Sequence, residues 1–81
     1  MPREGWDSEK VAVMMSVVRE KFRQHPDLAA MLLATGNELL VERNSWGDRF
    51  WGTDVDGEGE NMLGKILMRV RDELLNSQSH V

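Results

Sequence analysis

The sequence predicts a mainly α-helical domain of three principal helices, with one long loop and a candidate short strand. Three observations carry that reading. Apolar residues recur at helical spacing over residues 8–24 and again from residue 60 or 61 to about Asn76. Between them, Asn44–Gly59 has no helical period and holds Gly47, Gly52, Gly57 and Gly59. The chain of 81 residues is long enough for one small domain, and a chain of that size hides only about 60–65% of its unfolded surface.

The first helix is read from Val11, Met14, Met15, Val18 and Phe22, which share one side when spaced by three and four. Glu9, Lys10, Arg19, Glu20 and Arg23 fall mostly away from that side. Asp7 or Ser8 can cap its start with a side-chain oxygen. Pro26 ends it, because the residue before a proline is pushed out of helical geometry. Pro26 then suits the first position of a shorter helix running to about Thr35, with Leu28, Ala29, Ala30, Met31 and Leu32 giving it a close-packing character. Gly36 can adopt the left-handed conformation that closes a helix. Glu38–Glu42 is apolar at its centre and reads as an extended segment or a single strand. The last helix turns Leu63, Ile66, Leu67, Val70 and Leu74 to one face, and residues 77–81 are read as a flexible tail.

Bulk properties exclude several functions. Without cysteine there is no disulfide, thiolate metal site or cysteine nucleophile. The net charge of -4 opposes non-specific binding to a nucleic-acid backbone, which needs a concentrated basic face. No run approaches the roughly 18 apolar residues that span a bilayer, and Met1–Gly5 lacks the apolar core of a signal peptide. The expectation is a soluble cytoplasmic protein with no membrane partner.

Candidate sites concentrate in Asn44–Asn61, a loop long enough in so small a domain to imply a function. Asp54, Asp56 and Glu58 could begin a calcium loop. The position that needs a bidentate glutamate is then Lys65, which opposes a cation. Acids ahead of a helix that favour its amino-terminal dipole are the better account, so no metal site is expected. Ser8 and Ser45 have no nucleophile-elbow context, and His25 and His80 are remote from them. The methionines on helices read as core filler. Trp46 and Trp51, with Asp48, Arg49 and Phe50 between them, admit two readings: a wall for a flat polar ligand, or a small core closing the loop. Gly64 inside a helix costs about 1 kcal/mol against alanine and marks close approach of a backbone or a ligand. Asn61 can cap that helix, whose free amides would accept an anion.

Asp48-Arg49-Phe50-Trp51-Gly52, then Gly59-Glu60-Asn61-Met62-Leu63-Gly64-Lys65, then Leu67-Met68-Arg69-Val70-Arg71, resemble the NADAR, or YbiA-like, family pattern of Asp-x-x-Trp-Gly, Gly-x-Asn-x-Leu-Gly and Leu-Met-x-x-Arg. Trp6-Asp7, Val13-Met14, Lys21-Phe22, Leu32–Gly36 and Leu40–Glu42 also look like its helices. The resemblance covers roughly residues 3–75 and is to the carboxy-terminal half of the family domain, so residues 1–81 read as one small half-domain. It implies cofactor-independent, metal-free hydrolysis of a ribosyl–nitrogen bond in a nucleotide-like substrate, either a riboflavin-pathway intermediate or an ADP-ribosyl group. Asp48 would be catalytic. Trp51 and Gly52 would be pocket wall, with Asn61 and Gly64 shaping the ribose or phosphate end and Trp46 and Trp6 supporting the same pocket. The family's first half, with its glutamate-bearing helix and lysine, has no counterpart here. A complementary amino-terminal half is therefore the expected partner. The alternative is a non-catalytic binding or homo-oligomerising module derived from the same fold.

Overall fold

The computed structural model describes residues 8–79, with side chains to residue 77, and Ser8 begins it by capping the first helix. Its hydroxyl accepts the Val11 amide at 3.3 Å, which satisfies one donor of the opening turn. Trp6 and the alternative cap Asp7 lie outside the described residues, as do His80 and Val81.

Helix α1 spans Glu9–Gln24 and buries Val11, Met15 and Val18, the side marked by the periodicity. It ends at His25, held at φ -129° by Pro26, and α2 spans Pro26–Ala34 with the proline in its first turn. Thr35 and Gly36 close α2 by donating their amides to the carbonyls of Leu32 and Leu33. Gly36, at φ +64°, takes the left-handed conformation expected of it. Helix α3 spans Met62–Ser79, running past the expected end at Asn76 into the stretch read as a tail. Met62, Ile66 and Val70 of α3 meet the α1 residues and Leu32 of α2 in one core. Three pairwise-packed helices around that core are the fold class the sequence predicts.

Arg19 of α1 grips Glu73 of α3 with two bonds of 2.9 and 2.8 Å. Both side chains are exposed, so this pair aligns the helices more than it stabilises them. The opposite side of α1 stays open: Val13 and Val17 are 59% and 56% exposed. No helix among the described residues is long and apolar enough to cross a membrane.

Of the two readings of Glu38–Glu42, the single strand needs correction. No strand forms among the described residues, where the one ladder-like contact is an isolated parallel bridge between Arg43 and Thr53. The physical reason is the neighbour. Residues 38–42 lie along α3, whose backbone has no groups to share, so side chains supply the partners. The Arg71 guanidinium donates to the Glu38 carbonyl at 2.9 Å and to the Thr35 hydroxyl at 2.8 Å. The Met68 sulfur accepts the Leu40 amide at 3.5 Å. Asn61 donates to the Leu40 carbonyl at 2.9 Å and accepts the Glu42 amide at 2.8 Å.

Candidate functional site

The loop between Asn44 and Asn61 is built from short polar turns closed by their own side chains. Asn44, only 5% exposed, accepts the Asp48 amide and donates to the Asp48 carbonyl, both at 2.9 Å. That pair closes a turn whose apex carries Gly47 at φ +85° and Trp46. Asp48 then directs one carboxylate oxygen, Oδ1, to the amides of Phe50 and Trp51 at 3.1 and 3.0 Å. Such a side-chain turn is what a short carboxylate does when it competes with the backbone for amide donors. Among the described residues no hydrogen bond engages its second oxygen, Oδ2, and the residue is half-buried.

Phe50 and Trp51 form an edge-to-face pair with centroids 4.8 Å apart and planes at 85°. Both pack against the helical core. The Lys10 ammonium of α1 sits 3.8 Å from the Phe50 ring centroid, within cation–π range. A carboxylate, two rings and an ammonium thus share one corner where α1 meets the loop. Trp51 packs against the core, whereas Trp46 is 78% exposed.

The acidic stretch folds on itself. Asp54 accepts the amides of Asp56 and Glu58 on one oxygen and pairs with Arg49 at 2.8 Å through the other. The Arg49 guanidinium, then the Glu58 amide, hold the Asp54 carboxyl below its ordinary value. Its oxygens are thereby committed to the loop, and among the described residues no cluster of three or more acids or histidines is placed to hold a metal.

Gly52, Asn61 and Gly64 meet at a different place. A Cβ on Gly52 would strike the Glu42 carbonyl, and one on Gly64 would strike the Leu40 carbonyl and the Asn61 amide. Gly64 therefore marks the close approach of a backbone, one of its two expected meanings. Asn61 is 9% exposed at φ +52°, with both side-chain polar atoms taken by Leu40 and Glu42. The free amides expected at the start of α3 are not free. Asn61, Met62 and Leu63 donate theirs to the carbonyls of Gly52, Phe50 and Trp51 at 3.1, 2.9 and 2.8 Å. Backbone carbonyls occupy the places an anion would take.

The sequence-predicted residues thus separate into two groups. Asp48 and Trp51 stand at the carboxylate–aromatic corner, and Gly52, Asn61 and Gly64 clamp residues 40–42 to α3. Trp46 stands apart on the apex, and Trp6 lies outside the described residues. Sequence reasoning missed Lys10 and Asn44. Nothing local links residue 10 to residue 50, whereas the Asn44-x-x-x-Asp48 spacing around Gly47 is a turn signal that could have found Asn44.

The sequence profile described as the NADAR domain matches residues 1–75. An N-glycosidase of Nostoc punctiforme is 49% identical over 74 residues, which are 91% of this chain and 47% of that protein. The N-glycosidase YbiA of Escherichia coli is 44% identical over 72 residues, 89% of this chain and 44% of its own length. A riboflavin biosynthesis protein of Vibrio vulnificus is 53% identical over 72 residues, 89% of this chain and 19% of that protein. The chain therefore spans less than half the length of these relatives. No solved structure matches it significantly.

Proposed function

The chain belongs to the NADAR domain family, and from that membership we propose that it forms part of an N-glycosidase acting on a ribosyl–nitrogen bond of a nucleotide-like substrate. The supporting observation is the Asp48 carboxylate, oriented through one oxygen by the amides of Phe50 and Trp51. The other oxygen serves the reaction. Water attacks the anomeric carbon and gives a proton to Asp48, while the carbon–nitrogen bond breaks and its electron pair leaves with the nitrogen, which takes up a proton from solvent. As positive charge develops on the sugar, the same carboxylate stabilises it. Trp46 and the Phe50–Trp51 pair offer faces to the base. Asn61, Gly52 and Gly64 act as positioning residues that fix the loop on α3. Relatives called N-glycosidase and riboflavin biosynthesis protein support substrates of the riboflavin-intermediate class, with ADP-ribosyl groups as the second class to test.

Because the chain spans under half of those relatives, the active unit in this reading includes the remainder of the domain that they carry. The test mixes the chain with the unmatched part of the Nostoc N-glycosidase and measures sugar release from both substrate classes. Asp48→Asn keeps an acceptor for the two amides and removes the charge, so the melting temperature should hold while turnover falls about 10²–10⁴-fold. Turnover from neither class, or full turnover by Asp48→Asn, overturns the proposal. A second reading is a non-catalytic oligomerising module, favoured by the uncovered Val13–Val17 side of α1. It predicts a stable oligomer by light scattering, and a monomer at high concentration removes it.

A further inference from the structure

The extended segment Glu38–Glu42 is bonded on one side and open on the other. Backbone groups of an extended chain alternate in direction, and here Glu38, Leu40 and Glu42 direct theirs to Arg71, Met68, Asn61 and the Thr53 amide. Among the described residues, no hydrogen bond engages the amides or carbonyls of Leu39 and Val41. Those groups form a short free edge. Its side chains are apolar and uncovered, with Leu39 75% and Val41 44% exposed. An apolar groove of about 550 Å³ runs beside it, lined by Phe22, Met31, Leu32, Leu39, Val41 and Leu67.

Exposed edges with apolar flanks are sites where a second strand adds, with backbone bonds giving affinity and adjacent pockets giving specificity. We infer that residues 38–42 accept a β-strand from the part of the NADAR domain that this chain does not match, so that the two parts of the domain share a two-stranded seam. The inference rests on the two-part reading above and adds where the parts join. A second copy of this chain is the poorer occupant. Antiparallel self-pairing that sets residue 39 against 41 places Glu38 opposite Glu42, and each chain already carries a net charge of -4. The relatives' additional length, more than half of each, is sequence from which such a strand can come. Asn61 and Gly64 then have a reason to hold this segment flat on α3: they present its outer edge in a fixed line.

Amide hydrogen exchange followed by NMR tests this with the full chain and the unmatched part of the Nostoc N-glycosidase. On complex formation, the Leu39 and Val41 amides should slow by about 100-fold or more, while those of Leu40 and Glu42, bonded beforehand, change little. Val41→Pro removes the outward amide and should weaken the complex at least about tenfold at temperatures where the chain alone stays folded. A complex that forms with Leu39 and Val41 still exchanging freely overturns the strand seam and leaves the two-part enzyme standing. No complex by calorimetry overturns both.

Discussion

The three helices and the segment from Thr35 to Asn61 are held by different forces. Helical residues meet through Val11, Met15, Val18, Leu32, Met62, Ile66 and Val70, apolar groups whose attraction depends on area and is indifferent to direction. The intervening segment has no apolar centre of its own. It is held by single polar atoms, those of Asn44, Asp48, Asp54, Asn61 and Arg71, each aimed at a particular backbone group. Apolar burial degrades by increments when a methyl group is lost. A directional contact is made or missing, and a missing one strands a buried donor or acceptor. The half of the molecule carrying the candidate site is therefore the half that tolerates least change.

The largest expected effect comes from changing one carbon in each half. Gly52→Ala drives a Cβ into the Glu42 carbonyl and should cost about 3 kcal/mol or more, enough to unfold much of so small a domain. Ile66→Val, which removes one carbon from a fully buried side chain, should cost only about 1 kcal/mol. Urea unfolding of both variants measures the contrast, and equal losses would end it.

A smaller effect separates bonding from backbone conformation at Asn61. Asn61→Ala strands the Leu40 carbonyl and the Glu42 amide and puts alanine at φ +52°, for a loss of about 3 kcal/mol. Asn61→Gly strands the same groups but relieves the left-handed conformation, so it should recover about 1 kcal/mol of that loss. If the two variants are equally stable, φ at this position carries no strain.

The smallest effect concerns charge. Arg49 lowers the Asp54 carboxyl within the loop, and Arg19 lowers the Glu73 carboxyl between helices. A depressed folded-state value means that the unfolded chain binds the proton more readily. Stability from these pairs is thus complete above the ordinary carboxylate range near about pH 4, and is lost as pH falls through the folded values. Arg49→Ala and Arg19→Ala should each flatten the decline of melting temperature between pH 5 and pH 2 by a small amount, given the exposure of both pairs. An unchanged acid slope in both variants removes the pairs from the account.

Periodicity made the helices legible because an amphipathic helix writes its buried side every three or four residues. Ser8, Pro26 and Gly36 likewise announce their roles locally. The loop could be recognised as a loop, and Gly64 as a point of close approach, but its wiring could not be read. Asn61 reaches back 19 and 21 residues to Glu42 and Leu40, and Arg71 reaches back 33 and 36 to Glu38 and Thr35. No local pattern encodes bonds of that span. The expected strand failed for the same reason: its inner partners are side chains of a distant helix. The family resemblance singled out Asn61, Gly64, Met68 and Arg71, and in the structure these residues clamp residues 38–42.

The donation of the Asn61, Met62 and Leu63 amides to the carbonyls of residues 50–52 also bears on the order of folding. Helix α3 starts on backbone acceptors lent by the loop, so its first turn and residues 50–52 must become ordered together. Nucleation of α3 is then expected in its later turns around Ile66 and Val70, with the amino-terminal turn locking last. The candidate site would be assembled in that final step, as the chain reaches its native state.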